Sequence, residues 1–463
     1  MPMSRPRRST AGRDLKDTLW KAAAKLRGSV PAGQYKDVVL SLVFLRHSCA
    51  DQWKPLAANA ESADIGQQVN EAMQCAMTVN PALAGTLPQL YHTVDSRRLG
   101  ELIALLDSAE FTGPRDVMGE VYQYFLGNFA RAEGRRGGEF FTPPSIVRVI
   151  VEVLRPTRGR VYDPCCGSGG MFVQTEQFIA DQRGDPMQVA IYGQESVEET
   201  WRMARMNLAV HGLDSGGLGL GDTLVCDRHA GVQMDYVMAN PPFNIKDWAR
   251  DERDPRWRFG IPPVGNANYA WIQHILAKLA PRGKAAVVMT NGSMSSNTAG
   301  EGDIRARIVD ADLVSCMVAL PAQLFRSTGI PVCLWFFDRD KKRPGEVLFI
   351  DARGLGHLVD RAERALSDAE AVSIGDTYHA WLTNTDAYQD IPGFSKSVPL
   401  AGIRTAGYVL TPGRYVDSAR PDDCGEAHDR RIHRLTTELV AALDESARLD
   451  DVVRGRLEQL RWK

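Results

Sequence analysis

Residues 14 to about 130 carry apolar positions at three- and four-residue steps, clearest in "DLKDTLWKAAAKLRG" and "YKDVVLSLVFLRHSC", with no stretch of strict alternation. That spacing predicts helices that each bury one stripe, and a helical domain over residues 1–130. After the Gly-rich break "EGRRGGEF" the pattern changes. The short apolar runs "RVYDP", "QVAIYGQE", "MDYVMANPP", "KAAVVMT", "LVSCMVALP", "PVCLWFFD" and "EVLFID" now alternate with amphipathic stretches at Met171–Arg183, Val197–His211 and Tyr269–Leu279. Strands separated by helices of that length predict βαβ units, and so an α/β fold with a doubly wound, mainly parallel sheet over residues 131–417. Ligands of such sheets sit at the carboxyl ends of the strands. The end of the chain differs again: Ile432, Leu435, Leu439, Leu443, Leu449, Val453, Leu457 and Leu460 predict one or two amphipathic helices over residues 418–463. These helices pack on their own domain or dock a partner.

A length of 463 residues with 44% hydrophobic content suits a folded chain of about two to four domains. Purely apolar runs such as "LVFL" at residues 42–45 are far shorter than the roughly 18 residues a membrane helix needs. "MPMSRPRRSTAGRDLKD" lacks the apolar centre of a secretory signal, so the expected location is cytoplasmic, away from membranes. The eight cysteines include no CxxC pair and the nine histidines no HExxH pair, so no metal site is expected. With 55 basic against 57 acidic residues the net charge is -2, and the chain lacks the positive field of a protein that grips nucleic acid by itself. Local basic clusters occur at "SRPRR", "RAEGRR" and "RDERDPRWR"; each is either a solvated surface or a phosphate contact.

Chemistry concentrates at the predicted strand ends. "VYDPCCGSGG" joins a strand to a helix through a tight turn in which Gly167, Gly169 and Gly170 let a ligand approach the backbone. The GxGxxG spacing of a dinucleotide site is absent, and Asp163 stands at the strand end instead. A carboxylate there suits an ammonium or sulfonium better than a pyrophosphate, which points to S-adenosyl-L-methionine. Glu195 at the end of "IYGQE" is placed for ribose hydroxyls, and Asp222 in "LGLGDTL" for an adenine amine. Each acid taken alone also reads as a turn or helix cap.

The second group is "NPPF". An exocyclic amine conjugated to a purine is a poor nucleophile, because its lone pair is delocalised. Acceptors that draw the nitrogen toward tetrahedral geometry correct this. Asn240 offers a carboxamide oxygen, Pro241 a peptide oxygen whose direction the proline pair fixes, and Phe243 a ring to stack on the base. A duplex base reaches such a site only after rotating out of the stack. An isolated "NPP" would read as a loop terminator. Here it lies 77 residues after Asp163, behind a strand expected beside the cofactor strand.

Together these motifs resemble the modification (M) subunits of type I restriction-modification systems, adenine-N6 DNA methyltransferases that depend on S-adenosyl-L-methionine. "LWKAAAKLRGS", "GEFFTPPSIV", "DPCCGSGGM", "NPPF", "RFGIPPVGNANYAWIQHIL", "LPAQLFRSTGIPVCLWFF" and "LTPGRYV" follow in the family's order over most of residues 15–417. One departure is Phe141, where the family usually has Tyr. The resemblance implies a Rossmann-like methyltransferase domain whose cofactor pocket is lined by Glu139, Phe140, Phe141, Thr142, Pro143, Pro144, Ser168, Gly169, Gly170 and Glu195, with Asp163, Gly167 and Asp222 in support. It implies catalysis by Asn240, Pro241, Pro242 and Phe243. It further implies double-stranded DNA with a flipped adenine as substrate, a DNA specificity (S) subunit shared by two M subunits, an optional restriction (R) motor-nuclease subunit, and residues 418–463 as the docking segment. The rival readings are a standalone adenine methyltransferase, a methyltransferase acting on a protein glutamine, whose motif usually ends in Tyr, and a catalytically silent scaffold.

Overall fold

A computed structural model describes residues 20–21, 24, 35–80, 83–108, 117–133, 141–325, 329–361, 363–383, 388–416 and 428–459. Among the described residues the N-terminal part holds five α-helices: α1 (Tyr35–Ser48), α2 (Ala50–Ala58), α3 (Ile65–Val79), α4 (Ser96–Ser108) and α5 (Val117–Glu133). Their apolar stripes converge on a cluster that includes Val43, Trp53, Val69, Ile103 and Phe125. Most of "LWKAAAKLRGS" lies outside the described residues.

Helix α6 (Pro144–Leu154) opens at Pro143, whose extended backbone (φ -54, ψ 130) precedes a proline in the first turn, where a missing N–H costs nothing. The α/β part then runs β1 (Gly159–Asp163), α7 (Gly170–Asp181), β2 (Val189–Glu195), α8 (Glu198–Val210), β3 (Leu218–Leu220), β4 (Met234–Ala239), α9 (Asn268–Lys278), β5 (Leu279–Thr290), α10 (Glu301–Asp310), β6 (Val314–Ala319), β7 (Val332–Asp338) and β8 (Glu346–Asp351). A two-strand ribbon follows, β9 (His357–Leu358) with β10 (Arg364–Ala365), then α11 (Asp368–Thr383), β11 (Ser395–Pro399) and α12 (Leu400–Thr405).

The nine-stranded sheet has the order β11-β8-β6-β7-β5-β4-β1-β2-β3. Pairs β1–β2, β1–β4, β2–β3, β4–β5 and β6–β8 are parallel, while β7 runs antiparallel between β5 and β6, and β11 antiparallel on β8. The expected mainly parallel, doubly wound sheet is therefore present. Successive residues of the central strands serve opposite faces: Met238, Ala286 and Val288 join the cluster under α6, α7 and α11, whereas Val237, Ala239, Ala285 and Val287 join the one under α9 and α10. Strand order reverses between β1 and β4, and there the carboxyl ends of two neighbouring parallel strands release their loops in opposite directions.

Helix α8 belongs to two cores. Ala204 and Leu208 pack toward the sheet, while Met203, Met206 and Val210 complete the N-terminal helical cluster. The helical bundle is thus built directly onto the wall of the sheet domain.

Residues 417–463 form a separate compact unit. Its described part is one helix, α13 (His428–Gln459), with Leu435, Leu439, Leu443, Leu449 and Val453 between 48% and 60% exposed. Among the described residues no helix is long and apolar enough to cross a membrane, and no group of His, Cys, Asp and Glu could hold a metal ion.

Candidate active site

The loop leaving β1 is shaped by side chains that occupy its backbone groups. Cys165 N donates to Asp163 Oδ1 at 3.0 Å, an Asx-type turn that bends the chain as the strand ends. Gly167 N donates to Glu195 Oε2 at 3.0 Å, and Val197 N to Glu195 Oε1 at 2.9 Å, so one carboxylate at the end of β2 clamps both loops. Gly169, at φ 78, starts α7 from the left-handed region. From α8, Asn207 Nδ2 donates to the Ser168 carbonyl at 2.7 Å, and Asn207 Oδ1 accepts from Gln123 Nε2 of α5 at 2.7 Å.

The loop leaving β4 begins at Asn240. Its Nδ2 donates to Thr142 Oγ1 at 3.1 Å, while Oδ1 is buried and has no hydrogen-bond partner among the described residues. Pro241 is buried, Pro242 and Phe243 half-buried. The Phe243 ring meets Phe325 edge to face at 6.2 Å. Asn244 turns the chain at φ 56 and is tied to Asn268 at the head of α9.

The two loops and the segment before α6 border a small cleft lined by Thr142, Asp163, Cys165, Cys166, Gly167, Ser168, Gly170, Met171 and Asn240. Among the described residues no lysine, arginine or histidine lines it, and the one lining carboxylate, Asp163, is 3% exposed. Burial pushes the Asp163 pKa up to about 7, with the Glu195 charge adding to the rise and the Cys165 N–H opposing it. Burial also raises Glu195, against the hydrogen bonds it accepts from Val197 and Gly167. A buried carboxylate that feels a second one, with no cation among the described lining residues, makes a cleft that favours a positively charged guest and disfavours phosphate.

The expected site residues divide accordingly. Thr142, Asp163, Gly167, Ser168, Gly170 and Asn240 meet at one cleft, with Gly169 making the turn behind it. Glu195 clamps the glycine loop, and Pro143 and Pro144 start α6. Phe141 is packed against the helical cluster, its Cζ 3.7 Å from where a Cβ at Gly127 would stand. The ring tip thus faces α5, where the family's usual Tyr hydroxyl would have to fit. Asp222 is exposed and accepts from Leu224 N at 2.8 Å within its own turn, apart from the lining residues. Glu139 and Phe140 lie outside the described residues.

Sequence reasoning passed over the residues that support these loops. Gln194, fully buried, donates from Nε2 to the carbonyls of Gly221 (3.0 Å) and Cys226 (2.8 Å) and accepts from Arg228 N (3.0 Å), fixing the loop after β3. Arg256, from the "RDERDPRWR" cluster, donates to the carbonyls of Thr223 (3.0 Å) and Leu224 (2.7 Å) and to His274 Nδ1 (3.1 Å). Burial and that guanidinium hold His274 down at about 3, so its ring is neutral. An arginine legible as a phosphate contact is an internal strut here.

A doubly wound sheet with one antiparallel strand between β5 and β6, and a glycine turn facing an Asn-Pro-Pro-Phe loop across the strand-order reversal, is the fold of the α/β methyltransferases of the S-adenosylmethionine-dependent class. The pattern of N-6 DNA methylases matches residues 113–423, and that of the HsdM N-terminal domain residues 15–52. The methylase subunit of the type I restriction enzyme HindI from Haemophilus influenzae is 45% identical over 414 residues, covering 86% of this chain and 93% of the relative. The MjaIX methylase subunit from Methanocaldococcus jannaschii is 33% identical over 513 aligned positions, covering 96% and 91%. The crystal structure of a type I methyltransferase subunit from Streptococcus thermophilus shares the fold, with a TM-score of 0.76 at 21% identity over 88% of this chain and 100% of that one. The chain belongs to the N-6 DNA methylase family as a type I modification subunit, an adenine-specific DNA methyltransferase.

Proposed function

We propose that the cleft between the β1 and β4 loops binds S-adenosyl-L-methionine and that Asn240, Pro241, Pro242 and Phe243 present a flipped adenine to it. The observation that carries this reading is the buried Oδ1 of Asn240, which has no partner among the described residues, in a cleft whose other wall is the glycine loop and Asp163. A buried acceptor without a donor costs about 1–3 kcal/mol, a cost that a guest's N–H removes. The cofactor fits the other wall by charge, since a cation relieves Asp163, and by shape, since a Cβ on Gly170 would find nothing within 4 Å. Asp163, Gly167, Ser168, Gly169 and Gly170 would hold it, with Glu195 keeping the loop in place. When bound, it supplies a sulfonium-activated methyl group.

The chain's own contribution is to ready the amine. Asn240 Oδ1 accepts one amine N–H, and the Pro241 carbonyl is the candidate acceptor for the other. With both hydrogens held out of the ring plane, the lone pair localises on nitrogen and the positive charge that grows there is stabilised by fixed dipoles. Phe243, braced by Phe325, offers an aromatic face to hold the base. Nothing in the site requires a covalent nucleophile.

The balanced charge of the chain supports a shared grip on DNA, in which a specificity subunit reads sequence, two modification subunits flank it, and a motor-nuclease subunit joins for cleavage. The exposed apolar stripe of α13 is the docking element in this reading. The test is radiolabelled methyl transfer to DNA by the chain with its specificity partner, comparing Asn240→Ala. The wild type labels adenine N6; the variant binds cofactor yet falls at least about a hundredfold. An equally active variant removes Asn240 from the mechanism.

A further inference from the structure

A carboxamide is nearly symmetric in shape, yet only one of its two orientations works in a site that must accept from an amine. Turned the other way, Asn240 would aim an NH2 at an NH2, and two donors cannot bond. A hydroxyl neighbour can meet either orientation, by accepting from the NH2 or by donating to the oxygen, and the orientation present here is the first. Asn240 is half-buried, and among the described residues its side-chain hydrogen-bond partner is Thr142. Thr142 Oγ1 accepts from Nδ2 at 3.1 Å, which leaves Oδ1 as the buried atom without a partner among the described residues.

We infer that Thr142 is the positioning residue for Asn240: its hydroxyl anchors the amide nitrogen so that the amide oxygen is the group offered to the target adenine. The inference rests on the reading of Asn240 given above and adds a residue from a segment 98 positions earlier in the chain. Two effects follow from the same bond. It fixes the amide against rotation, so that the orientation is not set anew at each encounter. It also polarises the amide, because an N–H that donates to an acceptor leaves its C=O oxygen more negative and a better acceptor in turn.

The anchor is itself fixed. Phe141, the residue before it, is packed into the helical cluster, and Pro143, the residue after it, is buried at the start of α6, where its carbonyl accepts from Ile146 N at 3.0 Å and Val147 N at 3.2 Å. Thr142 is thus held on both sides by elements outside the β4 loop, and the direction of the Asn240 amide is imposed from the α6 side of the cleft.

The experiment compares wild type, Thr142→Ser, Thr142→Val, Thr142→Ala and Asn240→Ala in the full chain assembled with its specificity subunit. Two quantities are read: S-adenosylmethionine affinity by isothermal titration, which also reports folding, and kcat for methyl transfer at saturating cofactor and DNA. Expected for Thr142→Val and Thr142→Ala is a kcat at least about tenfold lower, the scale of one lost hydrogen bond to a reacting group, with cofactor affinity within about threefold of wild type. Thr142→Ser, which keeps the hydroxyl, should retain kcat within about threefold. Running Ala beside Val guards against a variant that does not fold. Wild-type kcat in Thr142→Val or Thr142→Ala, beside an inactive Asn240→Ala, overturns the inference and leaves the reading of Asn240 standing. So does a Thr142 variant that loses cofactor affinity alone. A fully active Asn240→Ala overturns both.

Discussion

Asn244 and Asn268 exchange two hydrogen bonds: Asn244 N donates to Asn268 Oδ1 at 3.0 Å, and Asn268 Nδ2 donates to Asn244 Oδ1 at 2.9 Å. The pair closes the turn after Phe243 onto the head of α9, at a residue that is 3% exposed. Asn268→Ala leaves Asn244 N without its acceptor and frees the end of the catalytic loop. Urea unfolding should show a loss of about 1–3 kcal/mol. Methyl transfer should fall while cofactor affinity, set on the β1 side, stays close to wild type. Unchanged unfolding and turnover would mean that the loop holds its shape without this pair.

Two neighbouring glycines should respond in opposite ways. Gly169 sits at φ 78, and a Cβ there would be 3.6 Å from the Ala204 Cβ, ordinary contact, so Gly169→Ala is penalised by backbone strain alone. The expected cost is about 1–2 kcal/mol. Gly170 begins α7 with open space about it, so Gly170→Ala should leave stability unchanged or raise it by up to about 1 kcal/mol. Gly170 lines the cleft, however, and the added methyl should weaken S-adenosylmethionine binding. Thermal melts set against binding isotherms separate the two; a Gly170→Ala protein that binds normally would contradict the proposed seat of the cofactor.

Asp163 makes cofactor binding depend on pH. Its pKa of about 7 in the folded chain stands above the ordinary 3.8. The folded state therefore keeps a proton that the unfolded state has released between about pH 4 and 7, and this group's contribution to stability is present at low pH and lost as pH rises through that window. A cationic ligand favours the ionised carboxylate, so affinity should rise toward pH 7 and weaken by up to about tenfold per pH unit below it. Isothermal titration between pH 5.5 and 8 checks this, with Asp163→Asn as control. The variant should bind more weakly at pH 8 and lose most of the slope. An identical slope would assign the titration elsewhere.

Helix α13 exposes Leu439 and Leu443, each 60% accessible, one helical turn apart. Replacing both with Asp should leave cofactor binding intact, since residues 417–463 form their own compact unit. Copurification with the specificity subunit should fail. Retained copurification would place the docking surface on another part of the chain.

Much of the architecture was legible because the central strands are buried on both faces and read as continuous apolar runs. All seven expected runs became strands, from β1 at "RVYDP" to β8 at "EVLFID". Two strands that escaped notice lie at the margins of the nine-stranded sheet: β3 is three residues, Leu218–Leu220, and β11 is "SKSVP", whose polar positions show no core-facing pattern. Helix α10 hid behind its charges, with Glu301, Asp303, Arg305 and Arg307 among ten residues, although Arg305 is fully buried. The site's motif residues could be chosen because their chemistry is unusual at strand ends. Their supports could not, since Asn207, Gln194 and Asn268 act on backbone groups brought near only by folding. Arg256 shows the limit best: in sequence it is one arginine in a mixed cluster, and only its three-dimensional neighbours turn it into an internal strut.

The β1 and β4 loops spring from strands paired in register, Val161 with Tyr236 and Tyr162 with Val237. The gap between the two halves of the cleft is therefore gauged by the ladder, roughly 4.8 Å from strand to strand, before any loop residue is chosen. Lengthening or rewriting the outer loops can then change which nucleic acid or companion is met without disturbing the span across which a methyl group would travel. The ladder acts as a fixed caliper, and variation among such enzymes has room to accumulate wherever it is not being measured.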